Sequence, residues 1–130
     1  MKSPSFSNNF IENIIKKNSK LLQAGDFEIK KIDSLSELVQ KTAANICEGK
    51  VIGWFQGRME WGPRALGNRS ILCDARRPDM KEILNKKIKR RESFRPFAPS
   101  ILREHVETWF EEDDEVPFMM KVFTIKEKKR

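Results

Sequence analysis

The sequence predicts an α/β (α+β) fold in which helices flank a β-sheet. Segments with apolar residues at helical spacing alternate along the chain with short apolar runs, and this alternation favours a sheet covered by helices. A chain of 130 residues with 38% hydrophobic residues is long enough for one domain with a core. No apolar run approaches the roughly 20 residues needed to span a membrane. We therefore expect a soluble domain.

The first part of the chain predicts a helix followed by a strand. Apolar residues recur at helical spacing over residues 10–22, and Gly25 with Asp26 should end that helix. The next segment, "FEIKKI" (27–32), predicts a short strand. The boundary between residues 26 and 27 divides an N-terminal extension with a helix (1–26) from the remaining domain (27–130).

A second helix and a central strand follow. Ser34 predicts the helix start, because Glu37 three residues later completes a capping box, and Gly49 predicts its end. The apolar run "VIGWF" (51–55) has strand length and predicts a central strand. The buried face of the helix is expected to carry Leu35, Leu38, Val39, Ala43 and Ile46.

The second half predicts further strands and helices. "SILCDA" (70–75) predicts a strand, and Pro78 can open a helix. "FRPFAPSIL" (94–102) cannot be helical through its prolines and predicts an extended segment. "REHVETWF" (103–110) predicts a short helix, and "FMMKVFTI" (118–125) a last strand. The helix after Pro78 should bury Met80, Ile83, Leu84 and Ile88.

Charge and cysteine content limit the possible partners. The net charge of +7 favours an anionic partner, but it does not distinguish nucleic acid, nucleotide and phosphorylated metabolite. Cys47 and Cys73 lack metal-ligand spacing and have only His105 to join them, so we expect no metal site within the chain. Reduced thiols and the absence of a signal-peptide pattern predict a cytoplasmic protein.

The stretch "GRMEWGPRALGNRS" (57–70) gathers three arginines around three glycines. Glycines let backbone N–H groups approach an anion, and arginine can hold phosphate with two hydrogen bonds. Two guanidinium groups about 4 Å apart repel by roughly 4 kcal/mol at an effective dielectric constant of 20, so converging arginines need an anion. Glu60 can neutralise one of them. The pattern leaves open an anion site, an Arg–Glu network on a surface turn, or contact with a nucleic-acid backbone.

A second basic stretch, "KIKRRESFRPFAPS" (87–100), precedes the proline-rich segment. If residues 79–90 are helical, Lys87 and Arg91 share one helix face through their i, i+4 spacing. The rigid extended piece that begins at Arg95 would then aim these charges at a pocket. The alternative is a solvated basic face.

These two motifs carry a resemblance to a known family. "GWFQGRMEWGPRALGNRSIL" (53–72) and "RESFRPFAPS" (91–100) strongly resemble the C-terminal domain of the nodulation-protein-type O-carbamoyltransferases, and the resemblance extends from Phe27 to Val122. The resemblance implies a twisted mixed β-sheet flanked by helices, as in the threonylcarbamoyl-adenylate synthases. It also implies use of ATP with Mg²⁺ and carbamoyl phosphate to form carbamoyl-adenylate.

The resemblance also implies roles for individual residues, and it assigns no catalytic side chain. Residues expected to bind the substrate or nucleotide are Arg64, Arg69, Ser70, Lys87, Arg91, Arg95 and Ser100. Residues expected to orient the loop are Arg58 and Glu60, as a pair, with Gly62, Pro63 and Gly67.

The implied partner is an N-terminal actin/HSP70-like transferase domain on another chain, which would pass the carbamoyl group to a hydroxyl acceptor. The family's transferase domain and later motifs do not occur in this sequence, so a partial domain is expected. A homodimer is possible and a membrane partner is not expected. Two other hypotheses are a basic RNA-binding module and a noncatalytic fragment that pairs through its sheet edge with another chain.

Overall fold

The computed structural model describes residues 3–25 and 27–129, so the predicted helix end at Asp26 lies outside the described residues. The chain divides into two compact units, Met1–Asp74 (unit 1) and Ala75–Arg130 (unit 2). The helices and strands together confirm the α/β class. Among the described residues, no helix is long and apolar enough to cross a membrane.

The N-terminal helical segment forms two helices, α1 (Asn8–Lys17) and α2 (Ser19–Gln23), where the sequence predicts one. Asn18 lies between them with non-helical backbone angles, and its side-chain amide donates to the Ile14 carbonyl at 2.8 Å. An asparagine side chain that bonds to a nearby carbonyl competes with the helix ladder. The break at Asn18 is the physical reason that the single helix over 10–22 is wrong.

The second predicted helix is confirmed as α3 (Leu35–Cys47). The Ser34 hydroxyl caps its start by accepting a hydrogen bond from the Glu37 backbone N–H at 3.3 Å. Gly49 follows its end with a φ of +83°, a conformation that favours glycine, so the predicted stop is confirmed too.

The strand predicted at residues 27–32 is wrong, because this segment has irregular structure. Within the described part of the chain, no neighbouring strand takes its backbone hydrogen bonds. Its apolar residues Phe27 and Ile29 instead line a cavity of about 250 Å³ together with Ile15 and Leu22 of the helices. The alternating pattern therefore serves packing against helices and not against a sheet.

Unit 1 contains an antiparallel pair of strands, β1 (Ile52–Phe55) and β2 (Arg69–Leu72). Ile52 lies opposite Leu72, and Phe55 lies opposite Arg69. Both strands are confirmed, although β2 begins one residue before the predicted range and ends before residue 75. In the described chain β1 has one strand neighbour, so its predicted central position is wrong. The pairing brings both ends of the glycine-arginine stretch together.

Unit 2 begins with helix α4 (Met80–Ile83), which continues as a π-helical turn at Leu84–Lys89. Met80 and Leu84 are buried as predicted, whereas Ile88 is exposed. A π-turn spaces its hydrogen bonds five residues apart, so Ile88 does not return to the face of Leu84. The turn ends at Arg90, which has the left-handed angles φ 49° and ψ 52°.

The remaining part of unit 2 is mostly irregular. Residues 94–102 are extended or turn-like and not helical, as their prolines predict. A 3₁₀ turn (Arg103–His105) leads into α5 (Val106–Trp109), which confirms the predicted short helix. The strand predicted at 118–125 is wrong, since two successive positive φ angles, at Phe118 and Met119, interrupt any extended run. Among the described residues of unit 2, the strand pairing is limited to one isolated antiparallel bridge, from Phe110 to Ile125.

Candidate functional site: the arginine loop and the arginine turn

The arginine loop (residues 57–70) connects β1 to β2. The ladder continues into it, because the Gln56 backbone N–H donates to the Asn68 carbonyl at 2.7 Å. The Gln56 side chain also donates to the Gly67 carbonyl at 3.2 Å and accepts from the Trp54 indole at 3.0 Å. The loop is therefore closed at its base by main-chain and side-chain bonds. Sequence analysis did not find the roles of Gln56 and Asn68, which are ordinary loop residues by composition.

The Glu60 carboxylate lies at the centre of this loop. It accepts hydrogen bonds from the backbone N–H of Leu66 (3.0 and 2.9 Å) and of Asn68 (2.8 Å), and its side chain is only 9% exposed. Burial raises the pKa of this carboxyl group, but the Leu66 and Asn68 amides and the Arg69 charge outweigh burial and lower the pKa below 4.5. Glu60 is therefore held ionised by the loop that it folds.

Arg69 clamps the same loop from the first position of β2. Its Nη2 donates to the carbonyls of Gly62 (2.7 Å) and Arg64 (2.9 Å), and its Nε lies 3.7 Å from a Glu60 carboxylate oxygen. Of the groups predicted to bind a ligand, this guanidinium is thus used largely to hold its own loop. Ser70 is used similarly, since its hydroxyl donates to the Gly67 carbonyl at 3.4 Å.

The predicted Arg58–Glu60 pair does not form, because Glu60 pairs with Arg69. Arg58 instead donates from Nη1 to the Ser3 carbonyl at 2.7 Å, and its own carbonyl accepts from the Asn68 side chain at 2.9 Å. Glu60 therefore contacts a different arginine from the one that the sequence predicts.

The loop glycines serve backbone conformation and not close packing. Gly62 and Gly67 have φ angles of +93° and +116°, and an added Cβ at either position would meet nothing within 4 Å. Pro63, which follows Gly62, has a restricted φ and stiffens the turn. These conformations direct the carbonyls of Gly62 and Arg64 toward Arg69.

Arg64 and Trp61 are among the side chains that this loop presents to solvent. The Trp61 side chain is 95% exposed, and Arg64 is exposed as well. Within residues 3–25 and 27–129, the Arg64 guanidinium has no hydrogen-bond or ion-pair partner. In this loop, Arg69 makes structural contacts, whereas Arg64 is available to a ligand.

The second cluster is the arginine turn (residues 85–97) of unit 2, which is built around Asn85. This side chain is fully buried (0% exposed), and its Nδ2 donates to the carbonyls of Ser93 (3.2 Å) and Arg95 (3.0 Å). Its Oδ1 accepts from Arg91 Nε at 2.7 Å. The role of Asn85 is not predicted from the sequence, because a polar residue inside a basic helical run resembles a surface residue. Its position beside Leu84, which is predicted to be buried, is the one sequence signal that indicates its burial.

Arg91 is fixed by this turn and does not share a helix face with Lys87, so that prediction is wrong. The left-handed residue Arg90 ends the helix, and the Arg91 backbone N–H turns back to the Asn85 carbonyl at 2.9 Å. The Arg91 guanidinium stacks on the Phe97 ring at 4.7 Å and donates from Nη2 to the Pro96 carbonyl at 3.3 Å.

The other predicted residues of this cluster are exposed. Arg95 Nε lies 2.9 Å from a Glu92 carboxylate oxygen in an i, i+3 pair. Lys87 has no hydrogen-bond or ion-pair partner in the described part of the chain, whereas its neighbour Lys86 pairs with Glu82. Ser100 is exposed. The arginine loop belongs to unit 1 and the arginine turn to unit 2.

Comparison with known proteins assigns the chain to a family. Residues 43–130 match the sequence model of the family described as carbamoyltransferase C-terminus. The chain belongs to this family. The residues that match the family model make up more than half of the chain and include both the arginine loop and the arginine turn.

Individual relatives agree with this assignment. The chain is 48% identical over 109 residues to nodulation protein NolNO of Sinorhizobium fredii and 46% identical over 109 residues to nodulation protein NolO of Bradyrhizobium diazoefficiens, covering 82% of this chain in each case. It is 43% identical over 82 residues (63% of this chain) to 3'-hydroxymethylcephem-O-carbamoyltransferase of Streptomyces clavuligerus. The aligned regions span 16%, 19% and 14% of the length of these relatives, respectively.

Replacing Glu60 with glutamine tests whether its charge folds the arginine loop. We expect backbone amide exchange at Leu66 and Asn68 to accelerate about tenfold at pH 7, because hydrogen bonds to a charged acceptor are the stronger ones. Hydrogen exchange followed by NMR measures this. In the unchanged protein the folded pKa lies below the ordinary 4.5, so the protection is full above that value and is lost as the pH falls through the lowered pKa.

Glu28→Gln is the matched control, since Glu28 is an exposed carboxylate of unit 1 that pairs with Lys30. It should leave the exchange of both amides unchanged. Equal exchange rates in Glu60→Gln and in Glu28→Gln would show that the carboxylate does not hold the loop.

Replacing Asn85 with alanine should destabilise unit 2. The substitution removes the donors to the Ser93 and Arg95 carbonyls, and stranding a buried polar group costs about 1–3 kcal/mol. Urea unfolding measures the loss. Asn45→Ala is the control, because the Asn45 side chain accepts one exposed bond from Lys50, and its cost should stay within about 0.5 kcal/mol. Similar losses for the two variants would contradict a central role for Asn85.

Proposed function

We propose that this carbamoyltransferase C-terminus domain binds carbamoyl phosphate and ATP and forms carbamoyl-adenylate for an O-carbamoyltransferase. The observation that carries the proposal is the exposed Arg64 guanidinium, which is without a partner among the described residues, on a loop in which Glu60 and Arg69 bond to backbone groups of the same loop. An arginine held this way is suited to a phosphate, because its planar fork can make two hydrogen bonds to one group.

The reaction needs positioning and neutralisation of charge more than acid–base chemistry. Water would first hydrolyse carbamoyl phosphate to carbamate and inorganic phosphate, and a carbamate oxygen would then form a bond to the α-phosphorus of ATP. The bond to the β-phosphate oxygen would break, and pyrophosphate would leave with the electron pair. Arg64 would bind the phosphate or carbamoyl group, and the ordered backbone of the arginine loop would keep that guanidinium in place.

The arginine turn would supply cations for nucleotide phosphates. Lys87 is exposed and lacks a partner among the described residues, so its ammonium is available. Arg91 is held by Asn85 and Phe97, and such pre-ordering lowers the entropy cost of binding. Arg95 and the Ser100 hydroxyl are the further candidates of this cluster.

Magnesium would arrive on the nucleotide. In the described ranges, no group of three or more histidine, cysteine, aspartate or glutamate side chains could hold a metal ion. Mg²⁺ binds readily through substrate phosphates and waters, so the proposal places it on the phosphates of ATP.

The hydroxyl acceptor would be bound elsewhere. The chain spans less than a fifth of the length of the relatives described above, one of which is named as a carbamoyltransferase of a hydroxymethylcephem. Transfer is therefore assigned to a separate actin/HSP70-like domain, and the reaction to the cytoplasm, as part of the same proposal.

The test is an Arg64→Ala variant titrated with carbamoyl phosphate and with Mg–ATP. The unchanged protein should bind one or both, and Arg64→Ala should bind about tenfold more weakly, the order expected for charge-assisted hydrogen bonds. Calorimetry gives the affinities, and pyrophosphate exchange into ATP, dependent on carbamoyl phosphate, reports adenylate formation.

Lys41→Ala is the control, since it removes the same charge from an exposed position of α3 in unit 1. It should bind both ligands as the unchanged protein does. Equal weakening in the two variants would mean that only the net charge matters. Strong RNA binding with a steep salt dependence, without binding of either small ligand, would favour the nucleic-acid hypothesis instead.

A further inference from the structure

A short N-terminal segment contacts the arginine loop within unit 1. We name residues 3–7 the N-terminal strap. The Ser3 carbonyl accepts a hydrogen bond from Arg58 Nη1 at 2.7 Å, and the Pro4 carbonyl accepts one from the Met59 backbone N–H at 3.0 Å. Two donors from adjacent loop residues thus meet consecutive main-chain oxygens of the strap.

The strap is attached to α1 by a small number of contacts. The Phe6 ring stacks on the Phe10 ring, with centroids 5.2 Å apart and planes inclined by 23°. The Ser7 hydroxyl accepts from the Phe10 backbone N–H at 3.2 Å and caps the helix. Phe6 remains 43% exposed. An aromatic contact just before a helix cap fixes the direction in which the chain enters the helix, and here it directs the strap to the loop.

The charge of Arg58 has no carboxylate partner in the described chain. Glu60, two residues away, is engaged by Arg69 and by two backbone amides. Arg58 is paired only with a neutral carbonyl. Hydrogen bonds between a guanidinium and an anionic oxygen are about twice as strong as those to a neutral acceptor, so a phosphate oxygen would be the better partner.

We propose that the Arg58 guanidinium and the Met59 N–H form an anion-binding position, and that the carbonyls of the N-terminal strap occupy it in the free protein. Strap and anion then compete for the same two donors. The ligand class is a phosphate group, as in carbamoyl phosphate or a nucleotide, and the competition rests on the proposed function of the arginine loop. The strap lies outside residues 43–130, so the family match does not account for it.

The test compares Phe6→Ala with Phe27→Ala. The first removes the ring contact that holds the strap, while the second removes a similarly exposed phenylalanine (55%) of the same unit that lines the cavity beside α1 and α2. We expect Phe6→Ala to bind carbamoyl phosphate, ATP or inorganic pyrophosphate about three- to tenfold more tightly, because affinity falls in proportion to the closed fraction. Phe27→Ala should bind like the unchanged protein. The carbamoyl phosphate and ATP titrations separate the two sources of phosphate.

A second measurement follows the strap itself. Backbone NMR relaxation of residues 5–7 should show increased mobility when a binding anion is added, and Arg58→Ala should show that mobility without any ligand. If the unchanged protein binds anions but Phe6→Ala binds them equally well and the strap stays ordered, the competition is disproved and the proposed function stands. If no variant binds any of the three anions, both proposals fail.

Discussion

One carboxylate, on a side chain that is only 9% exposed, organises the arginine loop. Glu60 accepts the amides of Leu66 and Asn68 and attracts Arg69, which in turn holds the carbonyls of Gly62 and Arg64. Without these bonds, a connection of this length would present several unpaired N–H and C=O groups and would need water to satisfy them. These bonds engage the Arg69 guanidinium and several backbone groups of the loop. Among the loop's arginines, Arg64 is therefore the one whose guanidinium has no partner in the described chain.

In unit 2 a neutral side chain, and not a charged one, bonds to the backbone groups of an irregular turn. The buried Asn85 amide uses both of its ends, since it donates to two carbonyls and accepts from Arg91. This arrangement fixes a turn that ends a π-helical segment at a left-handed arginine. In both clusters a polar side chain of low exposure contacts an arginine, Arg69 or Arg91, and engages it in the fold. Low exposure makes each such group costly to remove.

Local signals in the sequence were sufficient for some elements and not for others. The Ser34 cap, the Gly49 stop and the run at 51–55 predict α3 and β1 correctly, because these signals act within a few residues. The segments 27–32 and 118–125 resemble strands in sequence, but among the described residues they have no neighbouring strand to pair with. The backbone angles of the loop decide which arginine contacts Glu60, and the sequence does not specify them. From the sequence, an anion site and an Arg–Glu network are therefore both open. In the structure the loop contains the Arg–Glu network and also exposes Arg64.

The hydrogen bonds of the arginine loop engage the Arg69 guanidinium and leave the Arg64 guanidinium available to bind an anion. NMR of the arginine Nε–H groups tests this difference directly as carbamoyl phosphate is added. We expect the Arg64 Nε–H signal, exchange-broadened in the free protein, to sharpen and shift on binding, while the Arg69 signal is visible beforehand and changes little. A titration in which Arg69 shifts and Arg64 does not would show that Arg64 is not the arginine that binds the anion.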